Sequence, residues 1–176
     1  VHVSTVSVAG TSVHQQISHE KRMREDELFF GQTLDNKYAF SKFKAEEAVL
    51  NAIEHRNLDG KIIRVGNLMA RFSDGEFQIN SATNAFMRSL RAYAALGKIS
   101  VSALDMPLEF SPVDCTASAI VALSGAENFT VFHATNSHMV QMGDVIESMN
   151  RCGIDVETVE ESVFGTTGRI VKTTCY

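Results

Sequence analysis

A tyrosine and a lysine stand four residues apart in the stretch NKYAFSKFKAEEAVL, residues 36–50. Residues at this spacing lie on one face of an α-helix, so Tyr38 and Lys42 would project into the same surroundings. A phenol has an ordinary pKa of about 10, and a nearby ammonium group lowers the pKa because it favours the phenolate. The pair can therefore serve as a proton-transfer site, with Tyr38 donating the proton. The same spacing also occurs on ordinary helix surfaces, so by itself it does not decide between the two.

The elements around the pair provide the missing context. Val1–Val8 alternates and is rich in β-branched residues, which predicts a strand; a hydroxyl such as that of Thr5 at its end could hold a carbonyl oxygen. Asn36–Arg56 is predicted to be a helix, and Lys61–Ala70 to be an apolar strand interrupted by Gly66. The helix carries apolar residues at the spacing of a buried stripe: Phe40, Phe43, Ala48, Val49, Ala52 and Ile53.

The rest of the chain continues the alternation of helices and strands. The predicted elements are a helix capped by Ser81 or Thr83 and ended by Gly97, a helix over Ser111–Gly125, a strand over Thr130–Thr135, a helix over Met142–Gly153 and a possible strand over Asp155–Val159. Pro112 and Asp114 are interpreted as an ordinary helix start. This order predicts an α/β fold with a parallel sheet covered on both faces.

Three segments in this order resemble the extended short-chain dehydrogenase/reductases. They are VSTVSVAG as the strand with the catalytic Ser or Thr, YAFSK followed by KAEEAV as the Y-x-x-x-K helix, and IIRVGNLMAR as the next strand and loop. The more particular resemblance is to the thioester reductase domains of nonribosomal peptide synthetases and carboxylic acid reductases. It is carried by YAFSKFKAE, RVGNLMARFSDGEFQIN and FSPVDCTASAIVAL, and it extends from Val1 to about His138.

The resemblance implies roles for individual residues. Tyr38 would be the proton donor, and Lys42 would hold the nicotinamide ribose and tune Tyr38. Thr5 would polarise the substrate carbonyl, although Ser4 and Ser7 are adjacent hydroxyls.

A second group of residues is implied to contact the cofactor. Gly66, Asn67 and Leu68 would line the nicotinamide after the strand, where glycine permits close backbone approach. A simple bend between strand and loop explains the same three residues, so both interpretations stay open.

The function implied is NADPH-dependent reduction of an acyl or peptidyl thioester, carried on a phosphopantetheinyl carrier domain, to an aldehyde or alcohol. Dinucleotide binding in such folds needs a glycine-rich turn between a strand and a helix, and the eleven glycines form no such motif. The chain also begins without Met, inside the first strand. We therefore expect residues 1–176 to be a single-domain fragment: the C-terminal part of a Rossmann-like parallel sheet with flanking helices and a small substrate-facing region, lacking the N-terminal half that binds the nucleotide.

Two other functions remain open at this point. The chain could belong to another extended short-chain reductase, such as a nucleotide-sugar epimerase or dehydratase, because these share the Tyr–Lys helix. It could also be a non-catalytic interaction domain that keeps the fold.

Composition narrows the class of protein further. The net charge of −5 argues against a nucleic-acid partner, and no apolar run approaches the roughly 20 residues that span a bilayer. Three widely spaced cysteines suggest reduced thiols, and a cytoplasmic protein is expected. The histidine pairs 14/19 and 133/138 lack the further ligands of a recognised metal pattern, so no metal site is predicted.

Overall fold

The computed structural model describes residues 1–10, 23–79 and 81–168, and for residues 165–168 it describes the backbone alone. The histidine pair 14/19 lies outside the described residues. The described chain forms two compact units. The first contains Val1–Gly75 and Phe110–Asn136, and the second contains Glu76–Glu109 and the described residues from Ser137 onward.

The described residues contain nine strands, five α-helices and two short 3-10 helices. The strands are β1 (His2–Thr5), β2 (Ile62–Val65), β3 (Leu68–Met69), β4 (Lys98–Ser100), β5 (Pro107–Glu109), β6 (Ser111–Pro112), β7 (Val131–Ala134), β8 (Met139–Gln141) and β9 (Glu157–Val159). The helices are α1 (Lys37–Arg56), α2 (Ala85–Leu96), α3 (Val113–Ser124), α4 (Met142–Arg151) and α5 (Glu161–Gly168), with 3-10 turns at Val6–Ala9 and Val101–Ala103.

The first unit is built on a three-stranded parallel sheet in the order β1, β2, β7. Thr5, Val65 and Ala134 are paired across the three strands, so the strands end at the same edge of the sheet. All four residues of β2 are buried, as expected for a strand covered on both faces.

The two faces of this sheet are covered by different helices. Ile63, Val65 and Phe132 form a buried cluster against which Ile120 and Leu123 of α3 pack. Arg64, which alternates with Ile63 and Val65, contacts Glu46 of α1 on the other face. The predicted α/β fold, with a parallel sheet flanked by helices, is confirmed.

The second unit has a separate core. Ile99, Met142, Ile146 and Val156 are buried together. β4 pairs with β9 in parallel, and β5 pairs with β8 antiparallel.

Several local predictions differ from the structure. β1 ends at Thr5 because the chain turns into a 3-10 helix that Thr5 itself caps. The predicted strand over Lys61–Ala70 is two strands separated by Gly66 and Asn67. The cap of α2 is neither Ser81 nor Thr83 but Asn84, whose side chain accepts from the amide of Met87 at 3.0 Å.

Other predicted boundaries agree with the structure. Gly97 ends α2 in the left-handed conformation, with a φ of 61°. α1 begins within a residue of the predicted position, with Asn36 as its cap. No helix in the described ranges is long and apolar enough to cross a bilayer.

Candidate active site

The helix that carries Tyr38 and Lys42 is fixed at both ends by local chemistry. The side chain of Asn36 accepts a hydrogen bond from the amide of Tyr38 at 2.8 Å, which satisfies one of the free amides of the first turn. Asn57 ends the helix with a φ of 52°, a left-handed conformation that asparagine tolerates better than most residues. The predicted Tyr–Lys helix is therefore present, with both residues in its first two turns.

The buried side of α1 differs from the predicted stripe. Ala39, Phe43 and Glu46 are the buried residues, whereas Phe40 and Ala48 are exposed. A glutamate takes a central buried position because Arg64 of β2 lies opposite it. Periodicity counts apolar residues, so it could not identify a charged residue whose partner is supplied by a distant strand.

Lys42 lies against the first strand. Its Nζ donates to the carbonyl oxygen of Val3 at 3.2 Å, and α1 packs on β1. Tyr38, one turn earlier on the helix, is 54% exposed. The helix thus places the Lys42 ammonium group beside the strand that ends in Thr5, and it carries a solvent-accessible phenol one turn earlier.

Thr5 is buried at the end of β1. Its hydroxyl donates to Ser7 Oγ at 3.1 Å and accepts from the amide of Ser7 at 3.2 Å. To donate to a substrate oxygen, the Thr5 hydroxyl must give up its bond to Ser7.

The two neighbouring hydroxyls have different surroundings. Ser4 is buried and donates to Glu46 Oε1 at 2.5 Å, on the α1 face of the sheet. Ser7 is exposed. Because Ser4 is committed to a buried carboxylate, Ser7 is the remaining alternative to Thr5.

Gly66, Asn67 and Leu68 follow the end of β2, beside the end of β1. Val65 pairs with Thr5, so Gly66 lies at the edge of the sheet where β1 ends. The carbonyl oxygen of Asn67 accepts from the amide of Ser111 at 2.9 Å, and Leu68 pairs with Ser111 in β3 and β6. The structure therefore brings this segment to the same edge as Thr5, while its role toward a cofactor stays a prediction.

A buried ion pair lies beneath these residues. Arg64 Nη2 and Glu46 Oε2 are 2.9 Å apart, and both side chains are 0% exposed. Arg64 Nη1 lies 3.1 Å from His133 Nε2 and donates to the carbonyl oxygen of Arg24 at 3.1 Å. Burial, and secondly the charge of Arg64, lower the pKa of His133.

His2 lies at the other end of β1. Its Nε2 is buried and has no hydrogen-bond partner among the residues that the structure describes. Burial and the charge of Lys42 lower the pKa of His2, which favours the neutral ring.

Asp114 does more than start α3. Its carboxylate accepts from the amides of Phe72 and Ser73 at 2.9 and 3.1 Å, and from the amide of Cys115 at 3.0 Å. These hydrogen bonds lower the pKa of Asp114 to about 2. From the sequence, Asp114 is predicted only to start a helix. Its contact with the loop after β3 joins segments about 40 residues apart, and residue spacing within one segment cannot predict such a contact.

No group of metal-ligating side chains that could hold an ion occurs within the part of the chain that the structure describes.

Comparison with known proteins defines the class. Residues 1–120 match the NAD-binding family described as Male sterility protein, and the chain belongs to this family. The matched range contains every predicted site residue. The comparison with curated proteins finds no match.

Solved structures give the more particular relationship. The chain is similar to a thiolation-reductase di-domain from an archaeal non-ribosomal peptide synthetase, with 36% identity over 94% of this chain and a TM-score of 0.84. It is also similar to the reductase domain of the aureusimine biosynthetic cluster, with 30% identity over 98% of this chain and a TM-score of 0.81. The terminal R domain of the myxalamid PKS-NRPS pathway matches with 28% identity over 95% of this chain and a TM-score of 0.76.

These matches confirm the predicted relationship to reductase domains of peptide synthetases. The chain spans 35%, 46% and 42% of the lengths of the three matched chains, respectively. It is therefore less than half the length of each structure that it resembles.

Proposed function

We propose that this chain is the catalytic part of a reductase domain that uses NADPH to reduce a thioester carried on a phosphopantetheinyl carrier domain. The observation that carries the proposal is the packing of α1 on β1: Lys42 contacts Val3, and Thr5 ends the same strand two residues later. The similarity to a thiolation-reductase di-domain supports a carrier-bound substrate.

The residues present suit the nicotinamide end of such a cofactor. Tyr38 is exposed, and Lys42 reaches across to β1, so a ribose hydroxyl could exchange with the carbonyl of Val3 as the partner of the ammonium group. Gly66, Asn67 and Leu68 would lie beside the ring. The glycine-rich cradle for the pyrophosphate would come from the N-terminal half of the domain, since no such motif occurs in these 176 residues.

The chemistry assigned to this chain is orientation and proton transfer. A bound nicotinamide cofactor would supply the hydride for the carbonyl carbon of the thioester. Thr5 donates a hydrogen bond to the carbonyl oxygen, and the Tyr38 hydroxyl gives its proton to that oxygen as negative charge develops on it. Lys42 would hold the nicotinamide ribose during this transfer. The resulting hemithioacetal releases the carrier thiol and leaves an aldehyde; a second reduction would give the alcohol.

The test uses the complete reductase domain that contains this chain. Tyr38→Phe should abolish most turnover of a carrier-bound acyl thioester and leave NADPH binding nearly unchanged, because only the hydroxyl is lost. Lys42→Ala should weaken both. Full activity in either variant would show that the pair is not catalytic.

Two further measurements separate the alternatives. Turnover of nucleotide sugars in place of thioesters would indicate an epimerase or dehydratase. Titration of NADPH against the 176-residue chain, with the complete domain as control, tests whether the chain is incomplete: tight binding by the chain alone would contradict the proposed missing cradle.

A further inference from the structure

The buried ion pair between Glu46 and Arg64 joins the catalytic helix to the middle strand of the sheet. Arg64 Nε lies 3.0 Å from Glu46 Oε2 and 3.2 Å from Oε1, and Arg64 Nη2 lies 2.9 Å from Oε2. The guanidinium therefore binds the carboxylate through two nitrogens and both oxygens, which constrains their relative orientation more than a single contact would.

Ser4 extends the ion pair to the first strand. Its hydroxyl donates to Glu46 Oε1 at 2.5 Å, and it pairs with Arg64 in the register of the sheet. Thr5 follows Ser4 directly, and Val65 follows Arg64. One carboxylate on α1 thus holds both strands at the residue before they reach the edge where the site lies.

Glu46 is also close to the proposed catalytic pair along the helix. It follows Lys42 by four residues and Tyr38 by eight, or about 6 and 12 Å along the helix axis. Residues at these intervals lie on neighbouring parts of one helix face. The rotation of α1 about its axis is therefore fixed one turn away from Lys42.

Stability alone does not explain this arrangement well. A buried ion pair often contributes no more to stability than apolar residues of similar volume, because desolvating two charges offsets their attraction. A bidentate pair and a hydroxyl bond, in contrast, allow only a narrow range of helix positions, whereas apolar side chains accommodate sliding and rotation.

We propose that Ser4, Glu46 and Arg64 are positioning residues that set α1 over the end of β1, and so place Tyr38 and Lys42 relative to Thr5. The positional part concerns the fold of this chain and stands independently. Its catalytic consequence rests on the proposed function.

The first test is made on the 176-residue chain and needs no activity. Ser4→Ala removes only the hydroxyl between β1 and Glu46 and leaves the ion pair in place. Ser118→Ala is the matched control, because Ser118 is exposed and its hydroxyl donates within its own helix, to the carbonyl of Asp114. Amide hydrogen exchange should become at least threefold faster in residues 2–5 and 38–46 of Ser4→Ala and stay unchanged in the control. Unchanged exchange in both variants would overturn the proposal.

The second test is made in the complete reductase domain and separates position from stability. The variant combines Ser4→Ala, Glu46→Leu and Arg64→Met, so both charges are replaced together by apolar side chains and no buried Ser4 hydroxyl is left without its acceptor. The melting temperature should therefore stay near that of the parent. If the residues position the helix, kcat should still fall about tenfold or more, and the KM for NADPH should rise with it because Lys42 moves together with Tyr38. If both kcat and the melting temperature equal those of the parent, the residues have a purely structural role and the inference is refuted.

The two proposals fail in distinguishable ways. If the unmodified domain reduces no thioester, the proposed function fails, and the exchange measurement still decides whether the three residues hold α1. If the unmodified domain is active and Ser4→Ala exchanges like the control, the positioning role fails and the proposed function is unaffected.

Discussion

Replacing Glu46 by glutamine should strongly destabilise the first unit. The side chains of Glu46 and Arg64 are both 0% exposed, and Glu46 receives the contacts of Arg64 Nε and Nη2 as well as the Ser4 hydroxyl. Glutamine keeps the shape but removes the negative charge, so the Arg64 guanidinium stays buried without a counter-charge. Breaking a buried pair in this way typically costs about 3–5 kcal/mol, a large share of the 5–15 kcal/mol that stabilises an ordinary domain.

The next residue along the helix supplies a matched control. Glu47 forms an ion pair with Lys44 at 2.7 Å, but the two side chains are 45% and 52% exposed. Exposed pairs contribute about 0–1 kcal/mol, since water screens the charges and both side chains lose conformational freedom. Glu47→Gln therefore removes the same charge from the same helix at little cost in stability.

The measurement is urea unfolding followed by circular dichroism, because the chain contains no tryptophan and the 20 residues of α1 contribute to the helical signal. The free energy of unfolding of each variant is obtained by linear extrapolation to zero urea. A loss for Glu46→Gln within about 1 kcal/mol of the loss for Glu47→Gln would refute the reasoning, since a pair worth that little behaves like an exposed one.

Three further predictions concern the surroundings of the site. Asn36→Ala should lower the free energy of unfolding by about 1 kcal/mol, because it removes the cap of α1; urea unfolding measures this. Gly10→Ala should lose more stability than Gly31→Ala, since both glycines have positive φ but only the new methyl at Gly10 would meet the carbonyl oxygen of Thr33, at 2.2 Å; equal melting temperatures would contradict this. Acid should weaken the fold through His133: its pKa is lowered in the folded state, so between that pKa and about 6.5 the unfolded chain binds more protons. This contribution to stability is complete above pH 6.5 and is lost as the pH falls through the lowered pKa, and the loss should be smaller in His133→Gln.

Predictions from local sequence succeeded where the physics is local. The Tyr–Lys helix, its end at Arg56 and the left-handed Gly97 follow from helix propensity and capping, which depend on residues a few positions apart. The order of strands and helices likewise predicted the parallel sheet, since parallel strands need crossover helices between them.

Local sequence failed where the partner is remote. Glu46 is a charged residue of the kind that usually faces solvent on a helix. It is buried because the strand register sets its two partners, Ser4 and Arg64, side by side. Asp114 is a second example, because its carboxylate accepts hydrogen bonds from a loop about 40 residues earlier in the chain. Phe40 and Ala48 show the converse, as apolar residues in the predicted stripe that are exposed.

The sequence by itself determined which residues could do chemistry and in what order they occur: the strand that ends at Thr5, the helix of Tyr38 and Lys42, and the segment Gly66–Leu68. Tertiary structure alone decided that these segments meet. Pairing of Thr5 with Val65, the reach of Lys42 to Val3, and the carboxylate of Glu46 between two strands all join residues 18 to 60 positions apart. Such contacts depend on how the strands pair and how the helix packs, and no periodicity within one segment encodes them.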